Sequence, residues 1–81
     1  MAGALRVGDV DTAGNVMVQG SVTVFVNGVP ACRIGDSDNK GQPLITGSSK
    51  VIINGVPAGR MGDKDIKQHI KISGSSNVDM G

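Results

Sequence analysis

The stretch VFVNGVPACRIGD at residues 24–36 returns as VIINGVPAGRMGD at residues 51–63, a shift of 27 positions. A repeat of this quality constrains the fold class before any single residue is weighed. Residues 28–54 and 55–81 align without a gap and agree at 14 of 27 positions. The first 27 residues keep the same register. Arg6, Arg33 and Arg60 coincide, as do Asp9, Asp36 and Asp63, then Asp11, Asp38 and Asp65, and finally Gly20, Gly47 and Gly74. The chain reads as one domain over residues 1–81, built of repeats at 1–27, 28–54 and 55–81.

Each copy reads as a β-hairpin followed by a short strand. Residues 22–26 alternate as a strand, Asn27-Gly28 supplies a type I′ turn, and residues 29–34 return. Both central residues of such a turn need positive φ, which Asn tolerates and Gly adopts freely. Asn54-Gly55 repeats the device. A polar turn then begins at Gly35-Asp36, and short strands are expected at 16–19, 43–46 and 70–73, each ended by a Gly-Ser pair.

Composition narrows the possibilities further. Val and Ile together outnumber Leu 18 to 2, and 13 Gly punctuate the chain, so the expected class is all-β with tight turns. At 81 residues the core is thin and leaves no room for a spacious internal active site. No apolar run approaches the ~20 residues of a membrane helix. The N-terminus lacks the features of a secretory signal, so synthesis in the cytoplasm without a signal peptide is expected. A net charge of +1 and a single Phe argue against nucleic-acid binding. One Cys excludes an internal disulfide framework. With one His and no nucleophile beside an activating base, no catalytic residue is assigned and the chain is not expected to be an enzyme.

The third hairpin is cut in two by the chain ends. Position 81 falls where the other copies carry the Asn of the turn, and position 1 where they carry its Gly. Residues 2–7 are therefore expected to pair with residues 77–81, closing a ring. The resulting body is a small closed cone or pyramid of pseudo-threefold symmetry, without exposed edge strands.

The motifs Pro30-Ala31-Cys32-Arg33 and Pro57-Ala58-Gly59-Arg60, each followed by an apolar residue and Gly-Asp, resemble those of the PAAR-repeat proteins. The first copy departs from the pattern, reading Gly3-Ala4-Leu5-Arg6. The resemblance covers the whole chain, including the GSxxV and NGxPAxRxGD spacings. It implies a β-structured cone that caps a trimeric β-helical spike in contractile injection machines, either type VI secretion systems or phage tails. Expected placement is accordingly the tip of a virion's tail spike or the extracellular tip of a secretion apparatus. The implied partner is a homotrimeric spike bound by one chain per trimer, with transient contact to a target membrane and no small-molecule substrate. The expected role is mechanical: a non-enzymatic tip that sharpens the spike for piercing a cell envelope. A threefold β module binding a sugar, lectin-like in logic, is the alternative, and the single Phe weighs against it.

The resemblance also implies a zinc near the vertex, held by three His and one Cys. His69 is the only possible His ligand, with Asn15 and Gln42 at the same position of the other copies. Cys32 sits in the motif itself, where the other copies have Leu5 and Gly59, and is expected to pack as a small apolar group. The zinc site is thus expected to be lost and no cofactor is assigned. Asp11, Asp38 and Asp65 could form a ring holding a hard cation. The preferred reading treats them as separate solvated turn residues, partnered by Lys40 and Lys67. The repeat-motif residues Arg6, Asp9, Pro30, Arg33, Asp36, Pro57, Arg60 and Asp63 are expected to be structural. Phe25 and Ile52, large and apolar on the strand face opposite Val24, Val51 and Val78, are the candidate contacts to a partner.

Overall fold

The computed structural model describes residues 3–80, whose extents are 24 × 23 × 23 Å. Among these residues there is no helix, and regular strand is limited to β1 (Phe25–Val26), β2 (Val29–Pro30), β3 (Ile52–Ile53) and β4 (Val56–Pro57). β1 and β2 form one antiparallel pair and β3 and β4 another, with Phe25 opposite Pro30 and Ile52 opposite Pro57. The turns between them have the expected backbone, with φ of 54° at both Asn27 and Asn54, followed by 79° at Gly28 and 80° at Gly55.

The strands are shorter than the alternation predicts, for a physical reason. Each segment changes partner after one or two residues, so no ladder can lengthen. Ala31 bridges to Arg6 while Arg33, two residues on, bridges to Ala58; Ser37 bridges to Pro43 while Asp38 bridges to Met17. The start of the expected 22–26 strand is instead a hydroxyl-stabilised turn. Ser21 Oγ accepts the amides of Thr23 at 3.1 Å and Val24 at 2.9 Å, and Ser48 and Ser75 do the same for Lys50 and Val51 and for Asn77 and Val78. This gives the GSxxV spacing a mechanism. The preceding glycine is required by close approach: a Cβ on Gly47 would lie 2.8 Å from the Ala58 carbonyl oxygen.

The bridges recur at the interval of the sequence repeat. Val10–Val16, Ser37–Pro43 and Lys64–Ile70 form one set; Asp11–Lys71, Met17–Asp38 and Leu44–Asp65 form another, joining residues of different copies. Gly3 bridges Asp79 at the place taken by Phe25–Pro30 and Ile52–Pro57 elsewhere, and Ala4 N donates to Val78 O at 2.8 Å. Residues 2 and 81, included in the expected terminal pairing, lie outside the described residues.

Two apolar clusters fill the interior. Ala4, Ala31 and Ala58 lie with Val26, Ile53 and Met80, and Val24, Val51 and Val78 pack against them. Leu5, Met17, Cys32 and Leu44 form the second cluster, flanked by Val7. Size is complementary within that cluster. Leu5 and Gly59 share a repeat position, and a Cβ on Gly59 would stand 2.8 Å from Leu44 Cδ2 and 3.2 Å from Leu5 Cδ2. The absent side chain of one copy leaves the volume that the large side chain of another fills.

Candidate functional site

Beyond the second cluster, the three polar turns converge. Asp11, Asp38 and Asp65 each use Oδ1 to hold their own turn. Asp11 accepts the amides of Ala13 and Asn15, both at 2.9 Å, Asp38 those of Lys40 and Gln42, and Asp65 those of Lys67 and His69. The other oxygen of each points inward. Lys71 Nζ lies 3.1 Å from Asp11 Oδ2, 3.3 Å from Asp65 Oδ2 and 3.9 Å from Asp38 Oδ2.

This arrangement corrects the reading of the three aspartates as separate solvated residues partnered by Lys40 and Lys67. Their exposures are 2%, 2% and 0%, and Lys71 is 1% exposed, whereas Lys40 and Lys67 are exposed. Hydrogen bonding within each turn fixes the carboxyl with one oxygen outward and one inward, and the inward oxygens of Asp11 and Asp65 close on Lys71 Nζ while that of Asp38 stands off at 3.9 Å. Lys71 was missed because charged side chains are rarely buried. A signal was nonetheless present: Lys71 occupies the repeat position at which the other copies place Met17 and Leu44, both core residues.

Electrostatically the cage is unequal, three carboxylates against one ammonium. Hydrogen bonds to Asp38 Oδ2 are lacking in the described structure. At Asp11, burial acts to raise the carboxyl pKa, but donation from Asn15 N, the Lys71 ammonium and Ala13 N outweighs it and holds the group below the usual carboxylate range. His69 stands at the rim, its side chain 29% exposed, with Nδ1 3.3 Å from Asp65 Oδ2 and 3.7 Å from Asp11 Oδ2. Its counterparts Asn15 and Gln42 meet through an Asn15 Nδ2 to Gln42 Oε1 hydrogen bond of 3.3 Å.

The donor set does not fit a tetrahedral zinc of His and Cys. Asp11, Asp65 and His69 bring ligand-type atoms within 4.8 Å of one another, but Lys71 Nζ already contacts both carboxylates. Cys32 lies in the apolar cluster, where its Sγ donates to Gln19 O at 3.2 Å. Burial, with the charges of Asp36 and Asp9 adding, pushes its pKa up to about 12, and Cys32 is not among the residues whose ligand-type atoms come together at Asp11, Asp65 and His69.

The repeat-motif aspartates brace the chain. Asp36 Oδ2 accepts Arg33 N at 2.8 Å and Arg33 Nε at 3.2 Å, while Asp36 N donates back to Arg33 O at 3.0 Å. Asp9 with Arg6 and Asp63 with Arg60 repeat this geometry. The carbonyls of Pro30 and Pro57 accept the amides of Val7 and Ile34, each at 3.0 Å, tying one copy to the next.

Phe25 and Ile52 are 55% and 56% exposed, while their neighbours Val26 and Ile53 are buried in the first cluster. A further exposed set escaped sequence reasoning: Val18, Ile45 and Ile72, at 52%, 41% and 51%, share one repeat position. Three apolar residues at the repeat interval were the available sign. An open groove of about 550 Å³ is lined in part by Val7, Val18, Val22, Phe25 and Pro30, with Phe25 as its single aromatic.

A search of curated proteins finds no match. A family model described as the PAAR motif matches residues 7–65, well over half of the chain. That match spans both complete motifs, Pro30 to Arg33 and Pro57 to Arg60, and the turns that carry Asp11 and Asp38, and it ends at Asp65. The chain therefore belongs to the PAAR-motif family, a family of structural spike-tip proteins associated with the spikes of secretion and phage-tail machines.

Proposed function

We propose that this protein is a non-enzymatic cap for a homotrimeric β-helical spike, one chain per trimer, forming a closed pseudo-threefold cone whose narrow end carries the aspartate turns. The observation that carries the reading is the recurrence of each bridge at the repeat interval, including the Gly3–Asp79 bridge that joins the two ends of the chain. A partner with three equivalent chains presents three equivalent surfaces. A single chain with three near-equivalent faces can meet all of them on the axis. Hydrogen bonds between copies, such as Ser21 Oγ to Asn54 Oδ1 and Ser75 Oγ to Asn27 Oδ1, both 2.7 Å, support a stiff body that transmits thrust to a small area.

The docking face is assigned to the outward side of the hairpins, where Phe25 and Ile52 stand exposed. Asp79 takes their position in the third copy, so this face is apolar on two sides and acidic on the third. The reading is tested by co-purification with candidate trimeric spikes and native mass spectrometry. One chain per three spike chains is expected, and the double variant Phe25→Asp/Ile52→Asp is expected to lose binding while keeping the wild-type melting curve. A complex containing three copies of this chain overturns the capping geometry, and a double variant that still binds one to three moves the interface elsewhere.

A further inference from the structure

We propose that the Lys71 ammonium is a tethered cation occupying the place a metal ion would take among Asp11, Asp38 and Asp65, so that this position decides whether the tip depends on metal.

The geometry supports this in three ways. Lys71 Nζ lies within 3.9 Å of one oxygen of every carboxylate, and all four side chains are essentially inaccessible to water. Each carboxyl is fixed by two backbone amides of its own turn, so the inward oxygens hold their places whatever stands between them. At the same repeat position Met17 and Leu44 point into the apolar cluster, so the lysine stem lies in a core position and only its terminus reaches the carboxylates. Buried carboxylates without a cation are strongly unfavourable, and removing one partner from a buried charge cluster is more damaging than never having had the pair. Without the ammonium, Asp11, Asp65 and His69, whose ligand-type atoms lie within 4.8 Å of one another, form a site for a hard divalent cation, with Asp38 standing farther out and water filling the remaining positions.

The test compares wild type with Lys71→Met, which installs the residue of the first copy. Wild type is expected to melt at the same temperature in EDTA and in millimolar Mn²⁺, and to bind no Mn²⁺ by titration calorimetry. The variant is expected to melt at lower temperature in EDTA, to recover several degrees in Mn²⁺, and to bind one Mn²⁺ per chain, with a bound-ion electron paramagnetic resonance spectrum. A wild-type protein that loses stability in chelator, or binds Mn²⁺ one to one, overturns the proposal. So does a variant as stable as wild type in EDTA, or one that is destabilised but indifferent to Mn²⁺. If the variant folds under neither condition, nuclear magnetic resonance of wild type decides. The proposal expects a slowly exchanging lysine ammonium signal correlated with the carboxyl carbons of Asp11 and Asp65; only fast-exchanging, solvent-like lysine signals overturn it.

Discussion

Gly3 and Asp79, near opposite ends of the sequence, form an antiparallel bridge, and the adjacent Ala4 amide donates to the Val78 carbonyl at 2.8 Å. This pairing ties residues 3–4 to residues 78–79, and the neighbouring Met80, 7% exposed, lies in the alanine-lined cluster.

Deleting residues 77–81 should therefore abolish cooperative folding. It removes Met80 and Val78 from the first cluster and leaves the amide of Ala4 without its acceptor. Loss of a buried Met alone costs roughly 2–5 kcal/mol, a large share of what so small a domain has. Thermal melting and size-exclusion chromatography are the measurements. A truncated protein that stays monomeric with an unchanged transition would show that the terminal bridge contributes little.

The size complementarity of Leu5 and Gly59 predicts a non-additive pair. Gly59→Ala inserts a methyl 2.8 Å from Leu44 Cδ2 and is expected to destabilise by about 1–3 kcal/mol. Leu5→Ala opens a cavity costing about 2–5 kcal/mol. Combined, the two should lose less than the sum of the single variants, since the removed Leu5 side chain frees space near the added methyl. Chemical denaturation of all four proteins checks this, and strict additivity would contradict the packing described.

Asp36→Ala should destabilise by about 1–3 kcal/mol, because it strands the partly buried amide of Arg33 as well as removing the guanidinium's partner. Arg33→Ala should cost less, since Asp36 retains the Arg33 amide as a donor. The ordering of the two midpoints in urea is the readout, and the reverse ordering would assign the ion pair, not the turn, as the stabilising element.

Cys32 predicts both reactivity and pH dependence. Its thiol should resist aromatic disulfide reagents at neutral pH until the protein unfolds, because it is buried and held protonated. Its pKa is raised from 9.0 to about 12 on folding, so the folded state binds the proton more tightly than the unfolded state. The associated stability is complete below about pH 9 and is lost progressively as pH rises toward 12. Cys32→Ala should accordingly show a shallower fall in melting temperature across that alkaline range. Parallel pH profiles for the two proteins would refute the assignment of the slope to Cys32.

How far the sequence disclosed this structure depended on whether the information was local. The Asn-Gly turns at 27–28 and 54–55 were legible because positive φ at two successive residues admits few side chains. Strand length was not, because residues 31–38 divide their pairing among several segments and alternation records only which side faces inward. Ser21, Ser48 and Ser75 looked like separators, and their hydroxyls instead set the entry into each hairpin. The aspartate ring was legible as one of two readings, because the repeat puts Asp11, Asp38 and Asp65 at one position while each also forms an ordinary turn; what the sequence reading lacked was Lys71, whose place at a core position decides between them.

One lysine facing three aspartates is a stoichiometry that no homotrimer can encode. Three identical chains would have to place an ammonium from every subunit on the axis or none at all. Because the three copies here are joined in one polypeptide, Met17, Leu44 and Lys71 can differ at what is otherwise one position, two of them apolar and one charged. Covalent linkage of the copies thus lets the interior be varied one copy at a time, a freedom that three identical separate chains lack.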